Sequence, residues 1–468
     1  MSELSLSQMT SLGNFGRSLN VPAYHFQPKE IAELLQVFEL AKKYDLKVAP
    51  RGAGRSYNDA AISGGGIVLD TSLLTRILSW DVEMGILRAE PGLTLELLWQ
   101  KVLPDGWWPP VVSGTMKTTL GGCLGMNIHG KNNFKMGTIG EHVVEFTALL
   151  PSGEEVTCSP KENEDLFYAM ISGMGMLGIF TSVTMQMKRI YSGYLQVTEW
   201  NEPNLKTQLA ALENGAPEYD YIVGWLDGLA SGKSLGRGQI HAANYLAEGE
   251  DPDAQKNMQV EYQTLPDKFF GLVPKSVLHY FMSPAMNNLG VRAVNMAKYI
   301  VGRKKNYRQP HAAFHFLLDY VPDWELAYGQ RGLIQYQSFL PKATALDAWT
   351  EMIELSQKRK LPTYLGVTKR HRPDNFLFSH ALDGFSLAFD FKITKNNRDE
   401  LEEMTQDFDK IVLAAGGRFY FAKNSETARE TAHAFLGEEA IAKFRKLKER
   451  CDPENLLASD LYQRVFSE

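Results

Sequence analysis

The sequence predicts a mixed α+β protein with a ligand-binding domain over residues 1–190, an inserted domain rich in aromatic strands over 191–415, and a C-terminal segment, 416–468, that returns to the first domain. Three observations carry that expectation. Two glycine-rich runs, 51–66 and 114–130, punctuate short strands and helices in the first 190 residues. After about residue 188 glycine clusters become scarce, and aromatic strands such as 333–339 and 385–391 take over. Over the last fifty residues strand and helix return, ending in the stretches 441–450 and 455–461.

In order along the chain, Pro28 opens a helix on which Ile31, Leu34, Leu35 and Phe38 recur at helical spacing. Strands follow at 46–49, 66–70 and 86–89, then a helix at 94–101 and a proline-rich turn at 107–110. Residues 141–150, the turn Pro151-Ser152-Gly153 and residues 154–158 read as a hairpin. The uncharged stretch 166–187 is long enough to span a bilayer, but Gly173, Gly175 and Gly178 interrupt it. Val183, Met185 and Met187 then alternate with Thr184, Gln186 and Lys188, so the segment reads as helix, glycine turn and half-buried strand.

A chain of 468 residues is long enough for two domains or one large composite fold. A net charge of −6 gives no global reason to bind nucleic acid. Cys123, Cys158 and Cys451 are too few for a disulfide framework and contain no CxxC pair for zinc, so no metal is expected. They read as packing residues in a reducing compartment. The N-terminus MSELSLSQMT has neither a basic nor an apolar leader region, which favours a cytoplasmic location.

Glycine lets the backbone approach a phosphate and adopt positive φ, so the two runs are candidate phosphate loops. Ordinary turns explain one such run more easily than two. The dinucleotide fingerprint must be tested first. Gly173-Met174-Gly175-Met176-Leu177-Gly178 fits it by letter, with Glu199 about 20 residues on. Its context is inverted: it follows a helix and opens a strand, whereas the fingerprint follows a strand and opens a helix. The run at 52–57 lacks the third glycine, and no Walker A lysine pattern is present.

The segments Pro50-Arg51-Gly52-Ala53-Gly54-Arg55-Ser56-Tyr57, Ser113-Gly114-Thr115 and Thr119-Leu120-Gly121-Gly122 resemble FAD domains of the vanillyl-alcohol-oxidase type. Asn127-Ile128-His129-Gly130-Lys131-Asn132, Gly332 through Gln337, Arg418 through Lys423 and Ala458-Ser459-Asp460 sharpen this into a resemblance to the decaprenylphosphoryl-β-D-ribose 2′-oxidase family, nearly end to end. The resemblance implies a two-lobed FAD domain under a mostly antiparallel substrate domain. It places FAD contacts on Arg51, Gly52, Ala53, Gly54, Arg55, Ser56, Tyr57, Asn58, Asp59 and Ala60. It adds Gly114, Thr119, Leu120, Gly121, Gly122, Met126, Asn127, Ile128, His129, Ile179 and Tyr420. Many relatives tether the flavin through a histidine where this chain has Arg55, and a guanidinium is no nucleophile, so FAD is expected to be non-covalent. The His-Trp-Gly-Lys-like ending of aldonolactone oxidases is absent near the C-terminus.

Flavin-dependent alcohol oxidation asks two things of the protein: a group to take the hydroxyl proton and a positive charge near the flavin pyrimidine. Lys423, after the apolar strand 419–422, is the candidate for the charge, against the plainer reading of a solvated lysine. His129 is the candidate for the proton, against an ordinary loop histidine. Gln335 and Gln337 lie two apart on one strand face and suit sugar hydroxyls, while Lys369 with Arg370 would suit a phosphate. His315 and Ser386 stand where relatives show substrate-lining tyrosine and asparagine. The resemblance implies oxidation of a ring hydroxyl of a pentose on polyprenyl phosphate, a lipid-linked sugar phosphate, with a short-chain dehydrogenase/reductase as partner. A free sugar, alditol or aldonolactone oxidase remains an alternative, as does a flavin-binding protein without turnover. Between Asp267 and Asp319 no acidic residue occurs, whereas Lys268, Lys275, Arg292, Lys298, Arg303, Lys304, Lys305 and Arg308 do. With apolar groups interleaved, residues 268–308 suggest peripheral contact with an inner membrane, against the plainer reading of a soluble surface insertion.

Overall fold

Leu34, Val37, Phe38 and Ala41 recur at helical spacing on the helix Ala32–Lys43, and all four are buried. They pack with Phe26, Val48, Ile67 and Leu69 of a four-stranded sheet ordered Met9–Gly13, Asn20–Phe26, Ile67–Asp70, Val48–Arg51. The last three strands are parallel. The computed structural model describes residues 4–265, 268–269, 273–274, 278–302, 305–424 and 426–467. The helix begins at Ala32 rather than Pro28, because the Glu33 carboxylate takes the Lys29 amide at 2.8 Å and holds residues 28–31 as a lead-in turn. The strand expected at 46–49 begins at Val48, since Asp45 adopts φ +52° and Leu46 N folds back to Ala41 O.

The second lobe is a five-stranded antiparallel sheet ordered Ile77–Asp81, Ile86–Ala89, Ile179–Gln186, Val143–Leu149, Glu155–Cys158. The hairpin read at 141–158 is its outer pair. Ile179–Gln186 is buried on both faces apart from its last residue, where alternation predicted one. It runs between two strands, and two of its three hydroxyls are satisfied internally: Thr147 Oγ1 lies 2.6 Å from Thr181 Oγ1 and 2.8 Å from Ser182 Oγ, and Arg88 Nε donates to Ser182 Oγ at 3.2 Å, while Thr184 Oγ1 is buried without a hydrogen bond. The preceding helix, Glu164–Met170, is seven residues long. No helix among the described residues is long and apolar enough to cross a membrane. All three cysteines are buried and free.

The inserted region builds one eight-stranded antiparallel sheet. Its order is Lys305–Pro310, Tyr194–Glu202, Gly238–Tyr245, Tyr221–Leu226, Leu365–His371, Gly384–Lys392, Leu333–Pro341, Arg418–Phe419. Helices Leu205–Gly215, Ala345–Lys358 and Arg398–Ala414 pack against it. Period two sorts the side chains: Ser338 meets Trp349 Nε1 at 3.0 Å and Thr368 meets Gln208 at 2.6 Å on the helix side, which leaves Gln337 and Lys369 for the other face.

Beyond Phe419 the chain crosses to the first lobe. Tyr57 N donates to Ala422 O at 2.8 Å, and Asn58 donates to Phe421 O. The stretch 455–461 divides, because residues 456–458 bracket Val48 through Val48 N to Leu456 O (2.8 Å) and Ala458 N to Val48 O (2.9 Å). Ser459 then caps the helix Asp460–Phe466. Between these pieces, buried Lys448 on the helix Glu438–Cys451 donates to Met176 O at 2.8 Å and Leu457 O at 2.6 Å, and pairs with Asp452 at 2.6 Å. Asp267, Phe270, Leu272, Lys275, Val277, Arg303 and Lys304, which belong to the basic stretch, lie outside the described residues.

Lys448 ties the C-terminal segment to the glycine turn at 173–178, and its removal leaves Asp452 as a buried charge without its cation. Lys448→Ala is expected to lower stability by about 3–5 kcal/mol, read as a fall in the denaturant midpoint. An unchanged midpoint would show that the clamp is redundant.

Candidate active site

Two glycine loops and the open face of the large sheet enclose a cavity of about 300 Å³. The first loop leaves the strand Val48–Arg51. Arg51 braces it by donating to Gly13 O at 3.1 Å and Ala61 O at 3.3 Å. Gly52 lies so close to the second loop that an added Cβ would stand 2.1 Å from Thr119 Oγ1, and Gly54 has φ +63°. The amides of residues 52–56 take no internal acceptor among the described residues, and Arg55 Nε is buried without a partner. Open amides, a left-handed glycine and an unpaired guanidinium nitrogen form a donor set suited to an anionic diphosphate.

In the second loop Thr119 caps the short helix Leu120–Gly125. Gly114, Thr119, Gly121, Gly122, Met126, Ile128 and His129 line the cavity, as do Arg51 through Tyr57, Ala60, Ile179 and Tyr420. Gly175, from the fingerprint that failed its context test, also lines it at φ +79°, its α-carbon against Pro50.

Four residues expected as cofactor contacts do not reach the cavity. Asn58 is turned to Phe421 O, and Asp59 pairs with Arg464 at 2.7 Å; both hold the C-terminal segment. Leu120 points into the core, where helical geometry sends it once Thr119 is the cap. Asn127, at φ +43°, spends its side chain on Gly140 N (3.0 Å) and Asp374 (3.3 Å).

On the sheet side Gln335, Gln337 and Lys369 line the cavity with His315 and Lys423. Arg370 does not join Lys369, because adjacent strand residues face opposite ways. It pairs with Glu213 at 2.6 Å and Asp383 at 2.5 Å beside the helices. Ser386 shares the cavity-facing parity but is covered by His371, whose Nε2 lies 2.8 Å from its hydroxyl. The two glutamines already have protein partners: Gln335 donates to Asp390 at 2.5 Å, and the Gln337 amide lies 3.2 Å from His129 Nε2.

His129 is buried between that amide and Lys369 Nζ, 3.4 Å from Nδ1. Burial, reinforced by Lys369, holds its pKa well below the ordinary histidine value, so the ring is neutral. When the ammonium of Lys369 donates to Nδ1, the ring proton sits on Nε2 and calls for the oxygen of Gln337. Burial pushes Lys369 down to about 8. Burial likewise lowers Lys423, whose Nζ stands 4.0 Å over the Tyr57 ring, while the nearby Asp390 raises it. Asp390 is itself raised by burial. His315 is buried and neutral, its ring 5.5 Å from Trp108 and 4.6 Å from Tyr221.

Sequence reasoning did not single out Lys131, His371, His380 or Asp390 for this site. Lys131 lines the cavity, donates to Phe314 O and lies 4.5 Å over the Phe314 ring. His371 and His380 pack 4.8 and 5.2 Å from His129. Asp390 had a signal, a lone carboxylate within the aromatic strand 385–391. Asp319 had another, ending the acid-free stretch; it holds the second loop through Thr115 Oγ1 and Met116 N, both at 2.7 Å.

Residues 22–159 match the family described as FAD binding domain. Decaprenylphosphoryl-beta-D-ribose oxidase of Mycolicibacterium smegmatis is 31% identical over 426 residues, 89% of each chain. The chain belongs to the FAD-binding oxidoreductases of the vanillyl-alcohol-oxidase (PCMH) type. L-gulonolactone oxidase of Mus musculus is 28% identical over 165 residues, 35% of this chain and 37% of its own. Cytokinin dehydrogenase 10 of Oryza sativa subsp. japonica is 32% identical over 168 residues, 34% of this chain and 30% of its own. The protein is therefore an FAD-dependent oxidoreductase acting on CH–OH donors.

The contact of Gly52 with Thr119 brings both loops to one ligand. Gly52→Val is expected to part them and to lose most of the bound FAD while the chain stays folded, read as flavin absorbance per chain beside far-ultraviolet circular dichroism. Full flavin content in the variant would show that this approach is not required.

Proposed function

We propose that the protein oxidises the 2′-hydroxyl of a pentose carried on a polyprenyl phosphate, such as decaprenylphosphoryl ribose. The product is a keto sugar that a separate short-chain dehydrogenase/reductase reduces, which completes an epimerisation for cell-envelope arabinose. The observation that carries this reading is neutral His129 held between Gln337 and Lys369 in a cavity that also presents Lys131 and Lys423. The similarity to decaprenylphosphoryl-beta-D-ribose oxidase over 89% of both chains supports it.

Bound FAD supplies the two-electron acceptor for the substrate C–H bond. His129 would take the hydroxyl proton at Nδ1, where the substrate hydroxyl replaces the Lys369 ammonium, while Gln337 holds the Nε2–H side of the ring. Lys423, steadied by the Tyr57 ring, provides positive charge in a desolvated site, where it stabilises developing negative charge strongly. Lys369, lowered only to about 8, gives the cavity a positive character suited to the substrate phosphate, and Lys131, which burial lowers well below its ordinary value, adds an N–H donor. The amide face of Gln335 and Gln337 meets sugar hydroxyls, with Gln335 aligned by Asp390. The open amides of residues 52–56 and the Arg55 guanidinium would hold the FAD diphosphate.

The reading is tested by anaerobic flavin bleaching with polyprenylphosphoryl ribose, free alditols and aldonolactones. Bleaching by the lipid-linked pentose is expected, and Lys423→Ala should slow it by about 10²–10³-fold while the chain stays folded. Faster bleaching by an alditol or lactone would replace the substrate, and no bleaching by any of them would overturn catalysis. The FAD is held without a covalent bond, because Arg55 offers no nucleophile to the flavin. Acid precipitation is expected to leave all yellow colour in the supernatant; colour in the washed pellet would contradict this.

A further inference from the structure

We propose that the outer face of the helix Asn288–Val301 is a docking surface for an anionic lipid bilayer. The helix is amphipathic in the reverse sense for a globular protein. Its inward side carries Asn295, buried and donating to Asp227 Oδ1 at 2.8 Å, with Val291 beside it. Its outward side carries the apolar groups. Leu289, Ala293, Met296 and Ile300 follow at helical spacing, all exposed, with Leu289 79% and Ile300 60% accessible. Val294 and Val301, 58% and 65% accessible, widen the stripe, and Tyr280 adds a 69% accessible ring just before the helix. A helix bedded in a protein core buries its apolar stripe, whereas one lying in a membrane interface turns that stripe to the acyl chains.

Charge decides between a lipid surface and another apolar partner. The whole chain carries −6, yet no acidic residue falls between Asp267 and Asp319, where eight basic residues do; of these Lys298 turns inward over the Trp225 ring and is not part of the outer face. Arg292 flanks the apolar stripe and Lys305 follows the helix at the sheet edge, both exposed. This pairing of apolar insertion with local positive charge is the chemistry of an anionic headgroup layer. The helix is rooted beside the active site: Tyr364 Oη donates to Asn288 Oδ1 at 2.9 Å, and Met286, just before the helix, packs with Tyr57 and Tyr328. Docking would bring the cavity rim to the membrane surface. The inference stands apart from the identity of the sugar oxidised, since it rests on exposed apolar area and charge alone.

Sedimentation of the FAD-loaded protein with vesicles tests it. Wild type is expected to pellet with phosphatidylglycerol-containing vesicles at low salt, far less at high salt, and not with pure phosphatidylcholine. Leu289→Ser with Ile300→Ser should abolish pelleting. Arg292→Gln and Lys305→Gln should each weaken it about fivefold. Flavin content and circular dichroism should match wild type in all variants. Absence of pelleting by wild type, or equal pelleting by the serine variant, would overturn the proposal. So would a wild-type dimer in analytical ultracentrifugation that Leu289→Ser with Ile300→Ser dissociates, because the face would then belong to a second copy.

Discussion

Lys131, Lys369 and Lys423 stand in one cavity, all buried, with the carboxylate of Asp390 acting on Lys423. Taking an ammonium out of water costs several kcal/mol, and three of them in one site repel one another. Apart from Asp390 beside Lys423, the protein meets this with partners that do not neutralise the charge. Lys131 has a carbonyl and an aromatic face, and Lys423 has the Tyr57 ring. Such partners hold an ammonium in place while leaving its field directed at whatever enters. An anionic ligand in the cavity offsets part of that desolvation. Burial above all, reinforced by nearby cations, keeps His129, His371 and His380 uncharged, which leaves neutral imidazoles in a site rich in cations.

Sheet geometry makes this arrangement possible. Leu365, Val367 and Lys369 face the cavity while Thr368 and Arg370 face the helices, so one strand delivers a cation to each side without bringing the two together. One strand further along the sheet, Leu333–Pro341 sorts its side chains the same way, with Gln335 and Gln337 against Tyr336 and Ser338. Strands far apart in sequence thus place polar groups in register, and the glycine loops bring main-chain donors to the same space.

Features set by local chemistry were legible in the sequence. The two glycine loops, the hairpin at 143–158 and the inverted context of the fingerprint at 173–178 all follow from turn residues and periodicity, which act over a few positions. What depended on partners distant in sequence was not. Nothing near Ser386 announces that His371 will cover it. Asn58 and Asp59 sit inside a ligand-binding motif yet serve the C-terminal segment, an assignment visible only once Phe421 and Arg464 are in place. Two-sided burial of Ile179–Gln186 was hidden for a related reason: hydroxyl side chains read as solvent-facing until a second layer of hydroxyls satisfies them.

The last residues of the chain close its first-formed part. Val48 is bracketed by Leu456 and Ala458, Tyr57 by Ala422, and the glycine turn at Met176 by Lys448. A ribosome delivers residues 51–66 and 114–130 long before 418–458. The nascent cofactor lobe therefore waits with an unpaired edge at Val48 and an open cavity wall while the inserted sheet is made. Domains usually fold in the order of synthesis, but here the binding site is complete only once residues 418–458 are present. A chain that stops before residue 418 lacks the Tyr420 and Lys423 wall of the cavity and the Leu456–Ala458 bracket on Val48.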